Sequence, residues 1–196
     1  MKTYCFWIVF VTFSLTSCEK DDNSFENLSE NPLKLLEEVA YYDLNDDSVN
    51  DIKIVYDLFT WFGINSSDEW ITGEGISGRL RSLNGSSVLQ NRNSYTLFNK
   101  LYDTIKIEVS EPYYWDEHAC LSLISIRSSN ESDNLWENEW SIRSDMIFDY
   151  YYLAVKLNVN DSNLIGWLEI KFNKLTGGIQ ILESKFTTKA HIVIGK

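Results

Sequence analysis

The chain has 196 residues, 29 of them acidic against 17 basic, for a formal net charge of −12. So acidic a surface argues against nucleic acid as a partner, because displacing counterions from phosphates needs a basic face; direct adhesion to anionic lipid is equally disfavoured. Three cysteines, Cys5, Cys18 and Cys120, are too few for a disulfide scaffold, so an apolar core has to hold the fold.

The N-terminus reads as a secretory signal. Lys2 gives a positive start, an apolar run follows from Cys5 to Val11 and on through Phe13 to Leu15, and small residues precede Cys18. The apolar run falls short of the roughly 20 residues of a stable membrane span. Leu15-Thr16-Ser17-Cys18 resembles a bacterial lipobox. The resemblance implies cleavage before Cys18, with palmitate-type acyl chains on its thiol and new amino group, and so a partner membrane reached through a lipid anchor. More than one chain is what makes such anchoring durable. Lys20-Asp21-Asp22 is similar to a surface-export signal of Bacteroidetes-type bacteria, which implies the outer membrane, and its cell-surface face over its periplasmic one. The expected organisation is a signal peptide over 1–17, a lipidated cysteine and flexible tether over 18–31, and a single β-sandwich domain over 32–196.

Pro32 marks the edge of that domain. Leu33 to Leu44 mixes helical spacing with the strand-like Val39-Ala40-Tyr41-Tyr42, and is expected to be a strand ending at Leu44. From Ile52 to Thr60 both alternate sets hold apolar residues, as expected of a strand in a sandwich interior. Glu69 to Asn99 is polar and punctuated by Gly73, Gly75, Gly78 and Gly85, which predicts short strands with long loops. Thr104 to Val109 and Leu121 to Ile126 alternate as strands. Trp136 to Ile142 and Met146 to Phe148 lead into a well-patterned end: Leu153 to Val159, a turn at Asn160 to Asn163, Leu164 to Phe172, a turn at Lys174 to Gly178, then Gly178 to Phe186 and His191 to Ile194. Many short alternating strands separated by turn residues predict an all-β chain, an antiparallel β-sandwich or jelly roll.

This ending, with Gly166-Trp167 in one strand, Gly178-Ile179-Gln180-Ile181 in the next and Ile192-Val193-Ile194-Gly195 at the close, is similar to the ending of exported β-domains in Bacteroidetes lipoproteins. Ala154 stands where a glycine is common in those domains, and Phe186 where Ala-Tyr is. The resemblance implies fold and location and carries no catalytic residue.

Several segments hold candidate chemistry. Asp43, Asn45, Asp47, Val49 and Asp51 occupy the spacing of an EF-hand-like loop, which would hold Ca²⁺ through oxygen ligands. Ser48 replaces the turn glycine and Ile54 the bidentate glutamate, so a solvated turn between strands is the competing reading. Tyr113-Tyr114-Trp115 follows Pro112 in an expected loop, where flat aromatic faces would suit a glycan. Trp140 and Trp167 are expected in the core. His118 and Cys120 would share a strand face, but nothing supplies an orienting group or oxyanion site. Cys120 is therefore expected as a buried small hydrophobe. The function expected is a non-catalytic binding or interaction module for a glycan or protein ligand. A hydrolase of extracellular polymer and a structural envelope protein remain the alternatives.

Overall fold

The structure, a computed structural model, describes residues 32–64, 67–92, 96–128, 136–144, 150–159 and 162–196. The signal, Cys18, the tether, the Met146-Ile147-Phe148 run and the Asn160-Asp161 half of a predicted turn lie outside them.

Among the described residues the chain is almost entirely antiparallel strand. After a 3₁₀ turn at Pro32–Glu37 come β1 (Val39–Tyr42), β2 (Ile52–Ile64), β3 (Trp70–Ser82) and β4 (Ser87–Asn91). Then follow β5 (Thr104–Lys106), β6 (Tyr113–Asp116), β7 (Cys120–Arg127) and β8 (Ser141–Ile142). The C-terminal part supplies β9 (Tyr151–Val159), β10 (Ser162–Phe172), β11 (Ile179–Thr187) and β12 (His191–Val193). One sheet has the order β1-β2-β3-β7-β8 and the other β11-β10-β9-β4-β6, while β12 and β5 form a separate ribbon. The fold is an all-β, sandwich-like one. No helix among the described residues is long and apolar enough to cross a membrane.

Strand alternation decides the layers. In β9, Tyr151, Leu153, Val155 and Leu157 enter the main core, which they share with Ile52, Ile54 and Tyr56 of β2, Ile76 and Leu80 of β3, and Leu121 and Leu123 of β7. The intervening Tyr152 and Ala154 point the other way, into a second cluster with Ile165 and Trp167 of β10 and with Ile105, Ile192 and Ile194 of the ribbon region. The β9–β10 sheet is thus buried on both faces, which explains why its strands read as nearly continuous apolar runs. Trp140 and Trp167, at 2% and 1% exposure, are core residues as expected.

Four expectations need correcting. The strand expected over 33–44 is a 3₁₀ turn followed by only four strand residues. Pro32 suits the first position of a helical turn, because its missing N–H would be unsatisfied there anyway, and the turn drops Leu35 fully into the core. The polar stretch after Glu69 contains a strand of 13 residues, β3, paired along its whole length with β2. Thr104–Lys106 stops short of Val109, because its partner β12 offers only three residues. Cys120 is exposed: with Leu121 pointed into the core, alternation turns Cys120 outward.

Candidate functional site

The long β2–β3 hairpin outruns the rest of the molecule. On one side β1 covers β2 only from Ile52 to Val55. On the other, β7 pairs with β3 from Gly75 to Arg81. Beyond these limits, residues 60–64 and 70–74 pair as strands with each other and form a two-stranded arm roughly 16 Å long at 3.3 Å per residue, tied at its base by Ser128, whose backbone N–H and hydroxyl each donate to the Glu74 carbonyl at 2.9 Å.

The two faces of the arm differ sharply. Residues directly opposite in an antiparallel pair share a face, so Leu58, Thr60, Phe62 and Ile64 lie with Ile76, Glu74, Thr72 and Trp70. This is the same face that carries Ile52, Ile54, Tyr56 and Leu80 into the main core nearer the body. On β2 this face is exposed past Tyr56, although Ile76 of β3, opposite Leu58, is still fully buried. Leu58 is 53% exposed, Ile64 57%, Phe62 72% and Trp70 78%. Scattered apolar residues on a surface are ordinary, but a contiguous apolar strip marks an interaction site.

The reverse face is closed by its own side chains. The Trp61 indole lies on Gly73 so closely that a Cβ there would stand 2.7 Å from its Nε1, and Phe59 occupies the space above Gly75 in the same way. Trp61 Nε1–H donates to the Glu74 carbonyl at 3.1 Å, and the Arg127 guanidinium sits 5.6 Å from the Trp61 ring. These contacts stiffen the arm and leave its other face as the one presented to solvent. Asp68, Glu69 and Glu74 are the charged residues between Leu58 and Ile76, and none there is basic.

The residues singled out from the sequence are placed as follows. Asp43, Asn45, Asp47, Val49 and Asp51 form one compact loop between β1 and β2. Asp43 accepts from the backbone N–H groups of Asn45 and Asp47, each at 3.2 Å, and of Ser48 at 2.6 Å. Asn45 Oδ1 accepts from Asp47 N–H. Asp47 accepts from Val49 N–H and from the Asn45 amide. Asp51 accepts from Leu44 N–H at 2.8 Å. Asp46 and Ser48 take positive φ of 60° and 68° to close these turns, so the side-chain oxygens serve the loop's own backbone. Among the described residues no group of three or more His, Cys, Asp or Glu side chains is arranged to hold a metal ion. Burial pushes the Asp51 carboxyl up from its ordinary value, Asp47 and Asp43 add repulsion in the same direction, and the Leu44 N–H pulls it down.

Tyr113, Tyr114 and Trp115 stand in β6, at the edge of the second sheet, rather than in a loop. Alternation sends Tyr113 and Trp115 to one face and Tyr114 to the other, so the three rings make no common platform. Trp115 packs on the second cluster and donates from Nε1 to the Ile107 carbonyl at 2.8 Å. Tyr113 is the exposed member, at 43%.

Comparison with protein-family models, with curated proteins and with solved structures finds no match in any of the three. Function must therefore be argued from geometry. The arm was missed from the sequence because alternation in β2 reads the same whether its apolar face is covered or bare. The only signal was its length, a continuous alternation running past Thr60 into Trp61 and Phe62.

Proposed function

We propose that the protein is a lipid-anchored envelope protein, held through Cys18 at the outer membrane with its domain at the cell surface. In this reading the domain is a non-catalytic interaction module, and the β2–β3 arm is the part that engages another protein. The observation that carries the second statement is the bare continuation of the core face, with Leu58, Phe62, Ile64 and Trp70 exposed on one side.

The partner's chemistry follows from what the arm lacks. Its outer β2 edge pairs with no described strand beyond Val55, and an open edge accepts an extended segment by strand addition. Its charges are acidic only, so the segment is apolar with Lys or Arg flanking it. A second copy of this chain is a poorer occupant, because it would set Asp68, Glu69 and Glu74 against themselves in a molecule of net charge −12.

The anchor is tested by feeding cells labelled palmitate: the wild-type protein is expected to take up label and Cys18→Ala to take up none. Equal labelling of both would sink the anchor. The arm is tested on the whole protein with a short valine–threonine peptide flanked by lysines, against the same peptide flanked by glutamates. The lysine form is expected to bind at least tenfold more tightly, and Phe62→Ser or Trp70→Ser to weaken it by tenfold or more, equal to about 1.4 kcal/mol. Because both side chains are exposed, Tm should hold. Equal binding of the two peptides, or binding indifferent to both substitutions, would overturn the reading.

A further inference from the structure

The backbone of the arm fixes how a partner strand has to lie on it. Glu74 turns its backbone toward Ser128: its N–H donates to Ser128 Oγ at 3.2 Å, and its carbonyl accepts from the Ser128 N–H and hydroxyl, each at 2.9 Å. Glu74 stands opposite Thr60 in the β2–β3 ladder. In an antiparallel pair, two opposed residues either bond to each other or both turn away. Glu74 turns away, so the N–H and C=O of Thr60 point away from β3, to the outer edge of β2. The register of β2 on β3 runs without a shift from Ile52 to Ile64, and backbone direction alternates along a strand. Leu58 and Phe62 therefore present their N–H and C=O at the same edge as Thr60.

Edge and face then coincide. The residues with outward backbone groups, Leu58, Thr60 and Phe62, are those whose side chains lie on the arm's apolar face. The residues between them send their rings to the reverse face and inward, Phe59 over Gly75 and Trp61 over Gly73, both on β3. An added strand therefore finds its apolar contact on one face only. Its direction follows from β1, which already pairs antiparallel with β2 on this edge and whose first residue, Val39, stands opposite Val55. A segment added beyond Val55 continues that line. Antiparallel pairing is also slightly the stronger per residue, and parallel strands belong to sheets covered on both faces, whereas Phe62 is 72% exposed.

We propose that the arm takes its partner as an antiparallel strand in one phase, with the partner's apolar residues hydrogen-bonded to Leu58, Thr60 and Phe62. This rests on the reading of the arm as a protein-binding element and specifies its partner. The partner is an extended segment in which apolar and polar residues alternate, with Lys or Arg at its flanks. Opposed residues of an antiparallel pair share a face, so each partner residue that bonds to the edge also lays its side chain on the apolar strip. The intervening residues turn their N–H groups to solvent and their side chains to the reverse face. A parallel strand would reverse this phase, because its bonding residues are the neighbours of the opposed one. A helix laid on the strip would use no edge N–H at all.

The test titrates the whole protein with the lysine-flanked peptide of alternating valine and threonine in three forms: unmethylated, N-methylated at the valines, and N-methylated at the threonines. The two methylated forms carry the same side chains and the same number of methyl groups. Methylation at the threonines is expected to keep affinity within about twofold, and methylation at the valines to weaken it roughly tenfold or more, through the lost edge bonds. On the protein, Thr60→Pro removes an outward N–H without taking a bond from β3, at an edge position where proline is tolerated. It should weaken binding by about tenfold or more, while Thr60→Val stays within about twofold. If Thr60→Pro lowers Tm, the methylated peptides decide. Loss at the threonines with none at the valines would mean a parallel strand, and equal loss or none at both would mean docking through side chains alone; either overturns the proposal. Failure of the unmethylated peptide to bind would overturn the reading of the arm itself, and this inference with it.

Discussion

Gly166→Ala is expected to destabilise the fold by about 3 kcal/mol or more, at the upper end of overpacking costs, and to lower Tm by roughly 10 °C. Gly166 lies in β10 between β9 and β11, paired with Phe186 on one side and Val155 on the other. A Cβ at this position would stand 2.2 Å from the Lys185 carbonyl oxygen and 2.4 Å from the Phe186 ring. A ring can swing aside, but a backbone carbonyl in a paired strand moves only if the ladder opens. The two causes separate in a double variant. Gly166→Ala with Phe186→Ala should gain nothing over the sum of the single losses, because the Lys185 carbonyl remains. Urea midpoints of the two singles and the double measure this. A double variant as stable as Phe186→Ala alone would mean that only the ring needed the space.

That glycine shows which parts of the fold could be read in advance. The C-terminal strands were legible because each alternates strictly and is bounded by turn residues, and the sheet they form is the one buried on both faces. β3 was not legible. Its glycines at 73, 75 and 78 look like loop punctuation, yet the first two are there because Trp61 and Phe59 need bare backbone beneath them. Pro112 made Tyr113 to Trp115 look like a loop, although β4 takes them in as an edge strand. The turn chemistry of Asp43 to Asp51 was legible in residue type, while the direction of its oxygens, toward the loop's own N–H groups, was not. A cavity among Phe59, Ser77, Gln90, Thr96, Ser122 and Arg143 was invisible, because these residues come from β2, β3, β4, β7 and the connections after β4 and β8, and no spacing rule joins them. In the arm and the cavity alike, what matters is whether a face is covered, and coverage is decided by elements distant in sequence.

The second large effect is expected at Trp140. Trp140, 2% exposed, meets the Tyr56 ring edge-on at 6.2 Å between centroids. Its backbone N–H donates to the Lys174 carbonyl at 2.8 Å. The Tyr56 hydroxyl crosses from one sheet to the other and donates to the Gly177 carbonyl at 2.9 Å. This seam ties the β10–β11 turn to the β2 face just before Leu58, the first exposed residue of that face. Trp140→Ala is expected to cost about 3–5 kcal/mol, as for other buried aromatics. Tyr56→Phe, which removes one buried hydrogen bond and leaves the Gly177 carbonyl unserved, should cost about 1–2 kcal/mol. The pair should couple by about 0.5–1.5 kcal/mol in a double-mutant cycle, because the edge-on contact is shared. The location of the damage is as informative as its size. Hydrogen exchange in Trp140→Ala should rise most at Tyr56 and Leu58, where the arm is rooted, and least in β9 and β10. A uniform rise through both sheets would mean that Trp140 adds only to global stability, and that the arm takes its rigidity from Trp61 and Phe59 alone.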